Sequence, residues 1–134
     1  MHRPADYDGS RGVEYPRIYS DAHGDSHFED VSVSMDKESF PPSGAEWLIS
    51  GPVAVQSLLF RRVTVEHSDS PHLAPRRQFI VHLTGEAEVE VSDGEVRRFG
   101  PGSVLLVEDV SGKGHITRRI GDTVRQTLFL PLPA

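Results

Sequence analysis

Seven histidines and no cysteine set the chemistry open to this chain of 134 residues. Without thiolates there is neither a disulfide framework nor a sulfur-ligated metal site. Any bound metal must sit on nitrogen and oxygen donors, and proton transfer falls to imidazoles and carboxylates. Two histidines stand in the most informative surroundings. His72 opens the run His72-Leu-Ala-Pro-Arg-Arg-Gln78-Phe-Ile-Val-His82-Leu-Thr-Gly85, and His115 closes Gly112-Lys-Gly-His115, which follows Phe99-Gly-Pro-Gly102. Each is framed by a strand-like apolar run and glycine turns, an arrangement that can bring both rings into one barrel interior.

The strand around Gln78 decides which side chains share that interior. A period of two places Gln78, Ile80 and His82 on one face and Phe79, Val81 and Leu83 on the other. Apolar residues on both faces predict a strand covered on both sides. His115 and Thr117 share a face in the same way. Near these lie Arg76-Arg77, which read either as an anion-binding pair at a barrel mouth or as solvated surface, and Glu108-Asp109, which read as carboxylates serving an imidazole or a substrate, or as a plain acidic loop. His67 is placed at a rim. The dense group Asp21, His23, Asp25 and His27 looks like a metal site at first glance, but its turn composition favours a solvated loop.

The elements that must position these residues are short strands. Trp47 to Ile49, Val53 to His67, Gln78 to Leu83, Ala87 to Val91, Val96 to Phe99, Ser103 to Val107, Gly114 to Arg119 and Thr123 to Leu130 are strand-like, with turn signals between them and no helical pattern anywhere. Glu86-Ala-Glu-Val-Glu-Val91 alternates strictly, as a strand with one solvated face should. Asp93-Gly94 after it predicts a two-residue hairpin turn of type I′. Upstream, Ile18 and the group Phe28, Val31, Val33 and Met35 give two strand-like pieces around the turn at Asp21 to Gly24. Phe40-Pro-Pro-Ser-Gly44 makes Lys37 to Gly44 a connection rather than an element. Residues 1–16 form a polar arm without apolar periodicity.

The two histidine runs resemble the two-part signature of the cupin superfamily over roughly Trp47 to Leu132. In the first part, His72-x-Ala74, Gln78 and Gly85 stand where the family has His-x-His, an acid and Gly. In the second, Pro101-Gly102, the apolar strand Ser103 to Val107, and Val110-x-Gly112-x-x-His115 stand where the family has Pro-Gly, a strand and Pro-x-Gly-x-x-His. The first and last metal-ligand positions are kept; Ala74, Gln78 and Val110 depart from the pattern. The resemblance implies an all-β, single-domain, cupin-type jelly-roll β-barrel over residues 47–134, with residues 17–46 packing on the barrel or on a partner subunit. It also implies a divalent ion (Zn, Fe, Ni or Mn) on His72, Gln78 and His115, with His82 and Glu108 moving protons and Arg76 and Thr117 touching substrate. Gln78 carries no charge, so such a site would hold its ion more loosely than one with a carboxylate; the alternative is that Gln78 satisfies a buried hydrogen bond and His72 sits on the rim.

Composition narrows the partners. A net charge of −6, with arginines scattered among acids, argues against a nucleic-acid surface. No leader-like segment or membrane-length apolar run appears, so a cytoplasmic protein off the membrane is expected. Sheet edges left open by a small barrel predict a homodimer. The functional expectation is a small cupin enzyme acting on a small organic molecule (isomerase, cyclase, lyase or dioxygenase type), and the alternative is a non-catalytic or metal-free small-molecule-binding cupin.

Overall fold

The computed structural model describes residues 13–64 and 70–134. Eleven strands run along them: β1 (Val13–Ser20), β2 (Ser26–Val33), β3 (Met35–Phe40), β4 (Ala45–Ser50), β5 (Leu59–Val63), β6 (Gln78–Thr84), β7 (Glu86–Val91), β8 (Val96–Phe99), β9 (Val104–Val107), β10 (His115–Ile120) and β11 (Arg125–Pro131). No helix occurs among the described residues, so the protein is all-β.

The strands form a six-stranded sheet in the order β2-β1-β9-β6-β11-β5, a three-stranded sheet in the order β10-β7-β8, and the two-stranded pair β3-β4. All pairs are antiparallel except β1 with β9, where Arg17 and Ile18 lie beside Leu106 and Val107 in parallel. The alternation of β7 explains the layering. Ala87, Val89 and Val91 are buried, while Arg118 of β10 pairs outside with Glu90 at 2.9 Å and Glu88 at 3.6 Å. Val89 and Val91 join Ile18, Phe28, Phe99, Leu105 and Val107 in one buried cluster that draws on both larger sheets. Each such side chain contributes about 1.5–3 kcal/mol of transfer free energy. This packed end, on β1, β2, β8 and β9, leaves the β5–β11–β10 end of the interlayer space for a cavity.

Four expectations are corrected. The arm read as residues 1–16 gives way to strand by Val13, which pairs with Val33. β1 then enters the large sheet beside β9 and places Ile18 in the core. The connection Lys37 to Gly44 contains most of β3, and its prolines occupy the turn to β4. Proline bars a residue from donating in a ladder, but not from joining two strands. The long strand Val53 to His67 shrinks to Leu59–Val63, since residues 53–58 form no ladder and meet the sheet through the Gln56 N–H, which donates to Pro131 O at 2.7 Å; His67 lies outside the described residues. Finally, the β7–β8 turn is not type I′. Gly94 has φ +101°, and among the described residues only glycines have positive φ. Gly94 N donates to Val91 O and Val91 N to Glu95 O, both at 3.0 Å, which is a type I turn closed by a glycine bulge. Asp93 keeps an ordinary backbone and accepts from Glu95 N at 2.8 Å.

Candidate functional site

Gln78, Ile80 and His82 of β6 all line a cavity of about 420 Å³, together with His115 and Thr117 of β10. The segment Ser70 to Pro75 forms one rim and brings His72 in; β5 and β11 add Arg61, Arg125 and Phe129. The chain therefore gathers His72, Gln78, His82, His115 and Thr117 around one space.

His72 and His115 are joined by backbone before their rings meet. Each N–H donates to the other's carbonyl at 2.9 Å. The approach requires Gly114, with φ +77°, because a Cβ there would stand 2.2 Å from His72 O. The two rings then lie edge to face, 4.5 Å between centroids. Burial, then the neighbouring His115, lowers the His72 pKa, against a bond to the Ser70 backbone that raises it.

Behind His115 stands a carboxylate. Asp109, 0 % exposed, meets His115 Nδ1 with Oδ2 at 2.5 Å. An ionised carboxylate only accepts, so Nδ1 carries the proton and Nε2 is left with the lone pair. The Asp109 loop is itself held in place, since Ala74 N donates to Asp109 O at 3.1 Å.

His82 is set differently. Its ring stacks on Phe99 at 5.5 Å and its Nδ1 faces Ser103 O at 3.1 Å, so Nδ1–H donates and Nε2 is again the acceptor. Burial, above all, holds its pKa below the ordinary histidine value; Arg125 and Arg61 add to this, against the Ser103 bond.

Two expected site residues lie elsewhere. Glu108 is absent from the cavity wall; it faces Arg17 Nε at 2.7 Å and Arg77 Nη2 at 2.5 Å. Arg76 is exposed and also absent from the wall. Strand parity held the signal for the acid: Leu105 and Val107 of β9 point inward, and the same alternation carried one step past the strand end selects Asp109 over Glu108. Alternation in β11 likewise puts Arg125, Thr127 and Phe129 on one face, with Arg125 and Thr127 buried. The acid and histidine group near residue 21 also resolves. His27 bonds Asp21 Oδ2 through Nε2 at 2.6 Å and Asp93 Oδ2 through Nδ1 at 2.7 Å, which ties the β1–β2 turn to the β7–β8 turn.

For the metal that the cupin resemblance implies, the donors can be tested on two observations. His72 and His115 each have one nitrogen engaged by a protein acceptor, the Ser70 backbone and Asp109, as ligating histidines do. Gln78, 1 % exposed, has no hydrogen-bond partner for Oε1 among the described residues. The residues thus fit a weak site of two imidazoles and an amide. No group of three His, Cys, Asp or Glu side chains suited to a metal occurs among the described residues, so such a site depends on Gln78. Set against known proteins, the chain matches no family model and no curated sequence.

Proposed function

We propose that the protein is a cupin-type enzyme that moves a proton on a small organic molecule held between its two larger sheets. The observation that carries this is the buried Asp109–His115 pair beside a cavity large enough for such a molecule. The jelly-roll reading draws support from where the two motifs fall: the first on the rim segment and β6, the second on β9 and β10, with their histidines in bridged contact.

The chemistry follows from the proton inventory. Asp109 holds the tautomer in which His115 Nε2 accepts a proton, and its charge stabilises the imidazolium that results. His72 stands on the exposed rim, and partial burial, then the neighbouring His115, lowers its pKa. His82 is kept neutral by burial, with Nε2 able to accept from a substrate hydroxyl. A proton taken from one carbon by His115 and returned to another atom of the same molecule is an isomerisation.

A second reading is favoured by Gln78 Oε1 and the two half-engaged imidazoles. There His72, His115 and Gln78 would hold a divalent ion, which when bound supplies Lewis-acid polarisation of a substrate oxygen, and proton transfer passes to His82. Deuterium wash-in from D2O across a panel of small keto and hydroxy acids, with and without chelator, tests both. The expected result is exchange that resists chelation and is lost in His115→Ala and Asp109→Asn. Exchange that survives both substitutions, or none across the panel, overturns the acid–base reading; exchange abolished by chelator selects the metal one.

A further inference from the structure

Gln78 and His82 stand at the two ends of one strand face, and each offers the cavity a hydrogen-bond acceptor. Both line the cavity, and they are only 1 % and 4 % exposed. His82 Nδ1 is engaged by Ser103 O, which leaves Nε2 to accept. Gln78 Oε1 has no hydrogen-bond partner among the described residues. A buried acceptor that has left water without meeting a donor destabilises the fold, whereas leucine would fill similar space without that penalty. Packing alone therefore does not account for an amide at residue 78.

The strand sets the spacing of the pair. Residues 78, 80 and 82 share a face, and four residues of extended chain span about 13 Å, so the two acceptors meet the cavity from opposite ends with Ile80 between them. The middle is apolar. Val107 and Leu105 of β9 flank Gln78 and Ile80 in the same sheet, and Val89 of β7 packs in the same cluster. His115 is kept for another task, since its Nδ1 is held by Asp109 and proton transfer needs its Nε2 free. Arg61 and Arg125, on the β5–β11 side, have partners of their own.

We propose that Gln78 is a specificity-determining residue and that the cavity takes an elongated compound with a hydroxyl at each end of an apolar body, one donating to His82 Nε2 and the other to Gln78 Oε1. The last torsion of a glutamine is broad and roughly two-fold, so the amide oxygen can turn to meet a donor. Two acceptors this far apart select two separated hydroxyls, and the apolar middle selects a carbon skeleton between them. The proposal rests on the reading of the cavity as a substrate site and deepens it by naming the ligand class. Its test reads binding alone and in chelator, so its failure is distinct from a failure of proton exchange.

NMR titration of the full chain in EDTA with 2,6-dihydroxynaphthalene, its monomethyl ether and its dimethyl ether provides that test. The three share one body and differ by one hydroxyl donor at a time. The diol should bind about tenfold more tightly than the monomethyl ether, which satisfies one acceptor only, and the dimethyl ether should be the weakest. In Gln78→Leu the diol should lose about tenfold and fall to within about twofold of the monomethyl ether, because His82 alone remains to accept. Where Gln78→Leu fails to fold, the three-ligand series on the wild type carries the test. Equal binding of the three compounds, a diol preference unchanged in Gln78→Leu, or no binding of the diol in EDTA at millimolar concentration each overturns the proposal.

Discussion

A carboxylate that is sealed from water and touches one imidazole has its role set by that imidazole. Asp109→Asn keeps the volume but removes the charge that stabilises His115 imidazolium, so proton exchange should fall by about 10²-fold or more while the circular dichroism spectrum is retained. Retained exchange with an intact fold would exclude Asp109 from the chemistry. Gln78→Glu separates the two readings of the cavity. A carboxylate there neutralises part of a divalent charge, so thermal unfolding should rise with added Zn, Ni or Mn more in Gln78→Glu than in the wild type. No metal-dependent rise in either protein removes the metal reading. Much of this site is legible in the chain: the parity of Gln78, Ile80 and His82 needs only a strand, and the strand is there. Arg61 is not legible, because nothing local tells which face of the edge strand β5 turns inward, and Arg125 follows from alternation only once the inward face of β11 is known. Glu108 and Asp109 differ by one step of alternation, and that step decides between an ion pair with arginines outside and a proton relay inside.

At the scale of elements, glycine contacts and turn-to-turn bonds hold the site together. Gly114→Ala would force a Cβ into His72 O and strain a positive φ, so it should destabilise the fold by about 2 kcal/mol or more in urea titration and separate His72 from His115. A variant as stable as wild type would mean that the His72 segment is free to move away at little cost. The His27 clamp gives a pH dependence whose sign is fixed by its partners. Both ring nitrogens face carboxylate oxygens, so the clamp needs the imidazolium. The Asp21 bond, then the Asp93 bond, raises the His27 pKa above 6.5, against slight burial. The stabilisation is therefore complete below pH 6.5 and fades as pH rises through the raised value. On the acid side Asp21 and Asp93 are lowered from 3.8, by the His27 bond foremost in Asp21 and the Glu95 backbone bond in Asp93. Their share is present above pH 3.8 and is lost as pH falls through the lowered values. Around His27, Asp25 and Lys113 pair with each other at 2.7 Å and Tyr19 stacks at 5.5 Å, so no other cation replaces the imidazolium. The difference in melting temperature between wild type and His27→Gln should thus be largest between these limits and shrink toward alkaline pH; a difference that does not change with pH would refute the clamp. The strands from β6 onward follow their turn signals closely. Trp47 to Ile49 marked β4, but β3 escaped notice because Asp36-Lys-Glu38 has the polarity of a loop and β3 pairs with β4 alone, where no buried face imposes alternation.

At the scale of the whole molecule, β5 is an edge strand of the large sheet and Phe60 on it is 80 % exposed. Leu58 and Leu59 beside it are also exposed. An open edge with this apolar content invites a second copy, so light scattering should give twice the 14.8 kDa chain mass, and Phe60→Asp should return it to the single mass. A wild-type monomer at micromolar concentration would dismiss the dimer. The parallel bond between β1 and β9 carries a last consequence, for the order of assembly during synthesis. The first described strand cannot complete its ladder until residues 104–107 have left the ribosome, and its Ile18 waits uncovered through most of translation. Closure is therefore late, dominated by contacts distant along the chain, and belongs to the slow class of all-β folding.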